Sequence, residues 1–164
     1  MLDGYAHTGC LLVKEGTGTG CAGSASRPRS PSGEHGHWQK TTLFENAARV
    51  PLIIAGPGVT AAGSSVSSPA EMLDIYPTLA ELADLTPPPI LQGRSLLPLI
   101  RGGEGEFAEV SAFSSFSKNF RAVRRGRYKF YRIKEREFLF DVEVDPAGVT
   151  NLIEEKPAIA SALK

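Results

Sequence analysis

This chain has no long hydrophobic run. Its apolar stretches, Leu11-Leu12-Val13 and Val50-Pro51-Leu52-Ile53-Ile54-Ala55 among them, are short, whereas a helix needs about 20 apolar residues to cross a bilayer. A membrane-spanning helix is excluded, and no membrane partner is expected. Neither sign of charge is in excess: 18 Lys and Arg balance 18 Asp and Glu. Whole-chain charge therefore gives no reason to expect nucleic acid or an anionic surface as partner. Cysteine is scarce. Two residues, Cys10 and Cys21, are too few for a disulfide framework or a metal cluster. One bridge between them and two reduced thiols both fit, so the compartment stays open. No basic stretch leading into an apolar core opens the sequence, and no signal peptide is read there.

What is present suits a folded domain. The 164 residues are 41% hydrophobic and 22% charged, enough for one domain with a real core. Composition is uneven, however. Residues 16–36 are dominated by Gly, Ser, Thr, Pro and Arg and hold no hydrophobic side chain larger than Ala or Cys. Such a stretch cannot bury enough surface to offset its ordering entropy, and it reads as loop or disorder. The front end reads as attached to the ordered part rather than integral to it.

Residues 2–15 have mixed periodicity and read as one weak helix. Residues 41–48 read as a short helix. The Val50–Ala55 run, closed by Gly56-Pro57-Gly58, reads as a buried strand and turn. Residues 60–68 are small and polar and read as a loop. Ser68-Pro69-Ala70-Glu71 has the form of a helix start, with Met72, Ile75, Tyr76, Leu79, Leu82 and Ala83 as its stripe. Pro77 interrupts that stripe, predicting a kink or a second start with Asp74 near the cap. The helix should end near Leu85, before Pro87-Pro88-Pro89. Residues 95–100 form a short apolar segment. The last third reads as antiparallel sheet: strands over 121–124 and 128–133 flank a turn at Arg125-Gly126, and Phe138-Leu139-Phe140-Asp141 is a third strand. Asp145-Pro146-Ala147-Gly148 is a turn, and residues 153–163 close the chain as a helix.

Polar side chains crowd into Gly33-Glu34-His35-Gly36-His37-Trp38-Gln39-Lys40. Lys40 suits a tetrahedral anion, because its ammonium is a compact charge with three donors; the plainer reading is an exposed lysine at a helix start. His35 and His37 make a conceivable metal pair without an evident third ligand nearby, and a structural role is the commoner one. Trp38 suits a packing anchor. The second unusual stretch holds Arg121, Arg124, Arg125, Arg127, Lys129, Arg132, Lys134 and Arg136 with Tyr128, Phe130 and Tyr131 between them. Aromatics among cations can bind single-stranded nucleic acid. Alternation at period two explains the pattern more simply, as a hairpin with one solvated cationic face and one aromatic core face, so no nucleic-acid partner is expected.

The residues from Gly33 to Lys40, then Thr41-Thr42-Leu43-Phe44-Glu45 and Arg49-Val50-Pro51-Leu52-Ile53-Ile54, resemble the second half of a sulfatase. The resembling branch includes iduronate-2-sulfatase-like and choline-sulfatase-like enzymes. The likeness continues through Leu73-Asp74-Ile75-Tyr76-Pro77-Thr78-Leu79, Leu91-Gln92-Gly93-Arg94-Ser95-Leu96 and Ala122-Val123-Arg124-Arg125-Gly126-Arg127-Tyr128-Lys129. It ends with Phe138-Leu139-Phe140-Asp141, Asp145-Pro146 and Asn151-Leu152. The resemblance divides the chain into residues 1–32, which match nothing in the family, and 33–164, a sulfatase C-terminal part. It implies an α/β, alkaline-phosphatase-like fold. This chain would carry the last part of the large sheet and an α+β subdomain with a small antiparallel sheet and a packed helix. Without the rest of the large sheet, residues 50–55 and the helix over 72–85 should expose apolar surface and favour association.

The resemblance also implies hydrolysis of sulfate esters, on sulfated sugars or small sulfate esters. In the complete family enzyme a formylglycine made from the Cys of a C-x-P-S-R motif attacks sulfur, and calcium held by an Asp-Asp pair and a later Asp-His or Asp-Asn pair clamps the sulfate. Family members are often periplasmic, secreted or lysosomal. Lys40 takes the position of the family's sulfate-contacting lysine, and His35 is the second substrate-binding candidate. No catalytic residue and no metal ligand can be assigned. Neither Cys10 nor Cys21 begins a C-x-P-S-R motif, no Asp-Asp pair occurs, and the Asp-His-Gly expected before Gly33 is missing. The chain alone is therefore expected to be inactive and to bind no calcium. The rival readings are a non-catalytic module binding an anion or a partner, and nucleic-acid binding through the basic hairpin.

The missing Asp-His-Gly has a testable explanation. Arg27-Pro28-Arg29-Ser30-Pro31-Ser32 can be encoded as CGA CCA CGG TCA CCA TCN. Read from the second base, these codons give Asp-His-Gly-His-His. Residues before Gly33 are accordingly expected to come from a shifted reading frame or a misplaced start. Sequencing the coding DNA checks this: codons incompatible with the shifted reading would sink it, and C-x-P-S-R and Asp-Asp should appear upstream in another frame.

Overall fold

The computed structural model describes residues 9–14, 22–25, 43–56, 59, 63, 65–103, 110–116 and 118–164. Two four-stranded sheets organise them. The first contains β1 (Gly9–Lys14), β2 (Ala22–Ala25), β3 (Val50–Ala55) and β4 (Ser65–Ala70), in the order β2-β3-β1-β4. β1 runs parallel to β3, and the two edge strands are antiparallel to their neighbours. Three expectations are corrected here. Residues 9–14 are a strand, not part of a helix, because pairing with β3 on one side and β4 on the other supplies its backbone groups with partners. Residues 22–25 pair with β3 although the surrounding composition is that of a loop, because ladder hydrogen bonds do not require large side chains. Residues 65–68 belong to β4 rather than to a loop.

β3 follows the short helix α1 (Glu45–Ala48), as the apolar run predicts. Its burial alternates, with Val50, Leu52 and Ile54 inside and Pro51 and Ile53 outward. One face of this sheet is covered by α2 (Ile75–Leu82) and α3 (Leu97–Ile100), and the shared core holds Leu52, Ile54, Val66, Leu96, Leu99 and Ile100.

The expected helix start at Ser68 is not there, since Ser68-Pro69-Ala70 completes β4. A 3-10 turn over Met72–Asp74 leads into α2 with Asp74 at the N-cap. Pro77 then falls in the first turn, where a backbone N–H has no partner within the helix, and the missing donor costs nothing. Asp74 is 1% exposed and acts as a clasp. Its carboxylate accepts from Glu71 N at 2.9 Å and from Arg94 N at 3.0 Å. Thr78 Oγ1 donates to the Asp74 carbonyl and accepts from Leu96 N at 2.8 Å. Gly93 lets the segments close: a Cβ there would lie 2.0 Å from Leu73 O. α2 ends at Leu82, earlier than expected. Leu85 N reaches back to Ala80 O at 2.9 Å with Asp84 in the left-handed region, φ 56°.

The second sheet is an antiparallel meander, β5 (Ser111–Ser115), β6 (Phe120–Arg125), β7 (Tyr128–Ile133) and β8 (Arg136–Asp141). Gly126, φ 52°, makes the β6–β7 turn. β5 is not expected from its Ser-rich sequence; only alternate small side chains, Ala112 and Ser114, are buried. One face packs Ala122, Tyr131 and Phe140 against Leu43 and Phe44 at the entry to α1. The other packs Phe130 and Leu139 against Ala160 and Leu163 of α4 (Pro157–Leu163). α4 begins later than expected because residues 151–152 are tied to β8: Leu139 N donates to Asn151 Oδ1 at 2.9 Å, and Leu152 N to Leu139 O at 2.8 Å.

Gly93→Ala should force backbone apart at the Asp74 clasp. The expected loss is about 1–3 kcal/mol, read as a thermal midpoint lower by several degrees. A midpoint equal to that of the parent protein would contradict the close approach.

Candidate functional site

The predicted substrate-binding residues, His35 and Lys40, lie outside the described residues, as do His37, Trp38 and the rest of 33–40. The chain is described again from Leu43, and two residues later it enters the most unusual electrostatic arrangement in the fold. Glu45 opens α1 and is buried, 6% exposed. Its Oε1 accepts from Arg124 Nη1 at 2.8 Å and its Oε2 from Lys129 Nζ at 2.9 Å. Lys129 is 1% exposed and its ammonium lies 5.3 Å from the centre of the Tyr131 ring. Arg124 also donates through Nε to the Gly126 carbonyl at 3.1 Å.

The register explains why these groups meet. Arg124 and Lys129 are direct cross-strand partners, and like charges placed opposite each other repel. Both project to the face that carries Ala122 and Tyr131, against α1. One carboxylate between them gives each cation its own oxygen. Burial by itself would raise the Glu45 carboxyl, but the charges of Lys129 and Arg124 outweigh it and hold the group below the ordinary glutamate value. Burial pulls Lys129 down from the ordinary lysine value, with Glu45 opposing. Tyr131 is pushed well up, first by burial and then by the Glu45 charge.

The expectation of a wholly solvated cationic face is thus corrected. Arg124 and Lys129 are core residues, because a buried carboxylate from a distant segment neutralises them. Arg127 is exposed and pairs with Asp141 at 2.6 Å. Period-two alternation already puts Arg124 and Lys129 on the aromatic side, so the sequence did carry a signal: two buried cations demand an anion. It did not say which of the acidic residues supplies it.

Among the described residues, no three His, Cys, Asp or Glu side chains come together as a metal site. The buried carboxylates are already engaged: Glu45 by Arg124 and Lys129, Asp74 by the amides of Glu71 and Arg94, Asp141 by Arg127. Among the described residues the buried carboxylates thus leave no cluster of free oxygens for calcium, which takes six to eight oxygen ligands.

Comparison with known proteins agrees with this architecture. Residues 33–163 match the family model for N-sulphoglucosamine sulphohydrolase, C-terminal. The choline-sulfatase of Rhizobium meliloti (strain 1021) is 42% identical over 129 residues, covering 74% of this chain and 25% of that protein. Arylsulfatase K of Mus musculus is 30% identical over 145 residues, covering 79% and 26%. Among solved structures, BT4656, in complex with its substrate D-glucosamine-2-N,6-O-disulfate, superposes with a TM-score of 0.68 at 23% identity, over 80% of this chain and 30% of that one. A putative sulfatase from Bacteroides thetaiotaomicron VPI-5482 gives 0.63 at 29% identity, over 78% and 31%. The chain spans about a quarter of the length of the curated relatives it matches.

Glu45→Gln should be severe, because it leaves two buried cations without a counter-charge. Breaking such a group costs about 3–5 kcal/mol, measurable by urea unfolding at neutral pH. The pH sign follows from the lowered carboxyl. Its contribution is present above the unfolded glutamate value and is lost as pH falls through the folded one. The variant should show a flatter loss of stability on the acid side, and parallel acid profiles would contradict the assignment.

Proposed function

The chain belongs to the sulfatase family through its C-terminal region, and from this premise we propose that it is the C-terminal part of a sulfuric ester hydrolase of sulfated sugars or small sulfate esters. The observation that carries this reading is the extent of the family match, 33–163. It includes the Lys40 run, the Asp74 clasp with Gly93, and the hairpin that holds Glu45. Lys40 is assigned to the sulfate: an ammonium with three donors can address several oxygens of a tetrahedral anion without demanding one orientation. His35 is assigned a supporting contact to the same anion. Calcium in a complete enzyme of this family would supply charge neutralisation and polarisation of the ester oxygen.

In this reading the 164 residues alone do not cleave a sulfate ester. They contain no C-x-P-S-R motif and no Asp-Asp pair, so one lysine is left without a nucleophile to serve. A second reading, a non-catalytic module that binds an anion or a partner, is favoured on its partner side by one observation. Met72, Leu73, Tyr76 and Leu79 are between 36% and 59% exposed on the 3-10 turn and α2, a contiguous apolar stripe of the kind that marks interaction surfaces.

Assay of the purified chain with an aryl sulfate and added calcium is expected to give no turnover above a Lys40→Ala control. Turnover above that control would overturn the inactive reading. Sedimentation of the same sample should show concentration-dependent association that Tyr76→Glu reduces; a monomer at all concentrations would contradict self-association through this stripe.

A further inference from the structure

The face of the second sheet opposite Glu45 is only partly covered. α4 packs on Phe130 and Leu139, and beside it opens a groove of about 710 Å³ between β5, β6, β7, the end of α4 and the Glu71–Arg94 clasp. Its position separates it from the usual ligand end of an α/β sheet. Ligands bind beyond the carboxyl ends of parallel strands, whereas Glu71 follows Ala70, which pairs with Gly9, the first residue of β1.

The groove repeats the charge problem of the other face without its solution. Arg121 and Arg132 are direct cross-strand partners, continuing the row Ser115, Arg121, Arg132, Glu137. Opposed side chains of this kind stand about 5 Å apart at Cβ and repel. Behind the sheet, Glu45 bridges Arg124 and Lys129. In the groove, no hydrogen bond or ion pair joins Arg121 or Arg132 to a carboxylate among the described residues. Glu137, opposite Arg132, is drawn to Lys164 at 2.6 Å. Glu71 spends one oxygen on Phe113 N at 2.7 Å. Beside the two guanidiniums stands Phe113, 57% exposed, paired with Val123 one step along the ladder.

We propose that this groove binds an oligosaccharide bearing acidic groups, with its sulfates or carboxylates on Arg121 and Arg132 and one sugar face on the Phe113 ring. Guanidinium forks match both kinds of oxyanion, and an aromatic ring offers a flat apolar surface to the C–H face of a sugar. Gln92, also lining the groove, supplies a neutral donor and acceptor for hydroxyls. A single-stranded nucleic acid is disfavoured, because it calls for successive aromatic platforms and the groove presents one exposed ring. The site is independent of Lys40 and would add affinity for a polymeric anion rather than chemistry.

Calorimetric titration of the full chain at two ionic strengths tests this, using maltohexaose, O-sulfated maltohexaose, a hexagalacturonate and a deoxythymidine decamer. Binding of the sulfated or the uronate sugar, but not of maltohexaose, is expected, and the tighter of the two identifies the acidic group. Arg121→Gln with Arg132→Gln should weaken binding by about tenfold or more and Phe113→Ala by several-fold, in a Lys40→Ala background as in the parent chain. All the substituted groove residues are at the surface, and circular dichroism establishes that each variant is folded. The proposal is overturned if the double variant binds like the parent or if maltohexaose binds equally well. It is also overturned if the decamer binds more tightly than both acidic sugars, or if only Lys40→Ala removes binding.

Discussion

The carboxylate of Glu45 is the constraint on which the arrangement of the second sheet depends. Arg124 and Lys129 face each other across β6 and β7 with their charges pointing into a core of aromatic rings. Neither could stay there charged without a partner, since an isolated buried ion costs several kcal/mol. Glu45 meets both at hydrogen-bond distance. It comes from α1, whose next segment is β3 of the first sheet. One side chain thus fixes where the second sheet sits against the segment that leads into the first. A nonpolar core would press the two together as strongly, but it would tolerate sliding, whereas two charge-assisted bonds to one carboxylate fix orientation.

Asp74 plays a comparable part for the helices. Its carboxylate holds the start of α2 and the amide of Arg94, and Thr78 extends the same network to Leu96. Gly93 is there because the Leu73 carbonyl leaves no room for a side chain. The pieces that make the sequence recognisable, Leu73 to Leu79, Leu91 to Leu96 and Ala122 to Lys129, are therefore largely joints. They identify the family through its architecture, and the fold can be recognised in a chain that carries no catalytic motif.

This division explains which parts of the structure could be read in advance. β3, β6, β7 and β8 follow from apolar runs and period-two alternation, and Pro77 with Asp74 marks the true start of α2. β2 and β5 were hidden because Ala22-Gly23-Ser24-Ala25 and Ser111-Ala112-Phe113-Ser114-Ser115 carry little hydrophobic signal; their pairing is imposed by neighbouring strands. The Ser68 helix start failed because local capping chemistry lost to strand pairing with β1. For the site, the sequence pointed to His35 and Lys40 by resemblance, while the described structure offers Glu45, which no motif singles out. Alternation could place Arg124 inside, but finding its partner required a contact between residues 79 apart in the sequence.

The two faces of the second sheet now differ in one physical respect. Each carries a pair of opposed cations on β6 and β7, Arg124 with Lys129 and Arg121 with Arg132. The first pair is desolvated, so its neutralisation had to be built into the protein; leaving it open would remove a large share of the stability of a marginally stable domain. The second pair is hydrated, and water with dissolved ions screens it at small cost. A solvent-exposed repulsion can therefore persist in a stable protein where a buried one cannot. What persists is a site whose charge is unanswered from within the described chain, and an anion arriving there relieves repulsion as well as making new bonds.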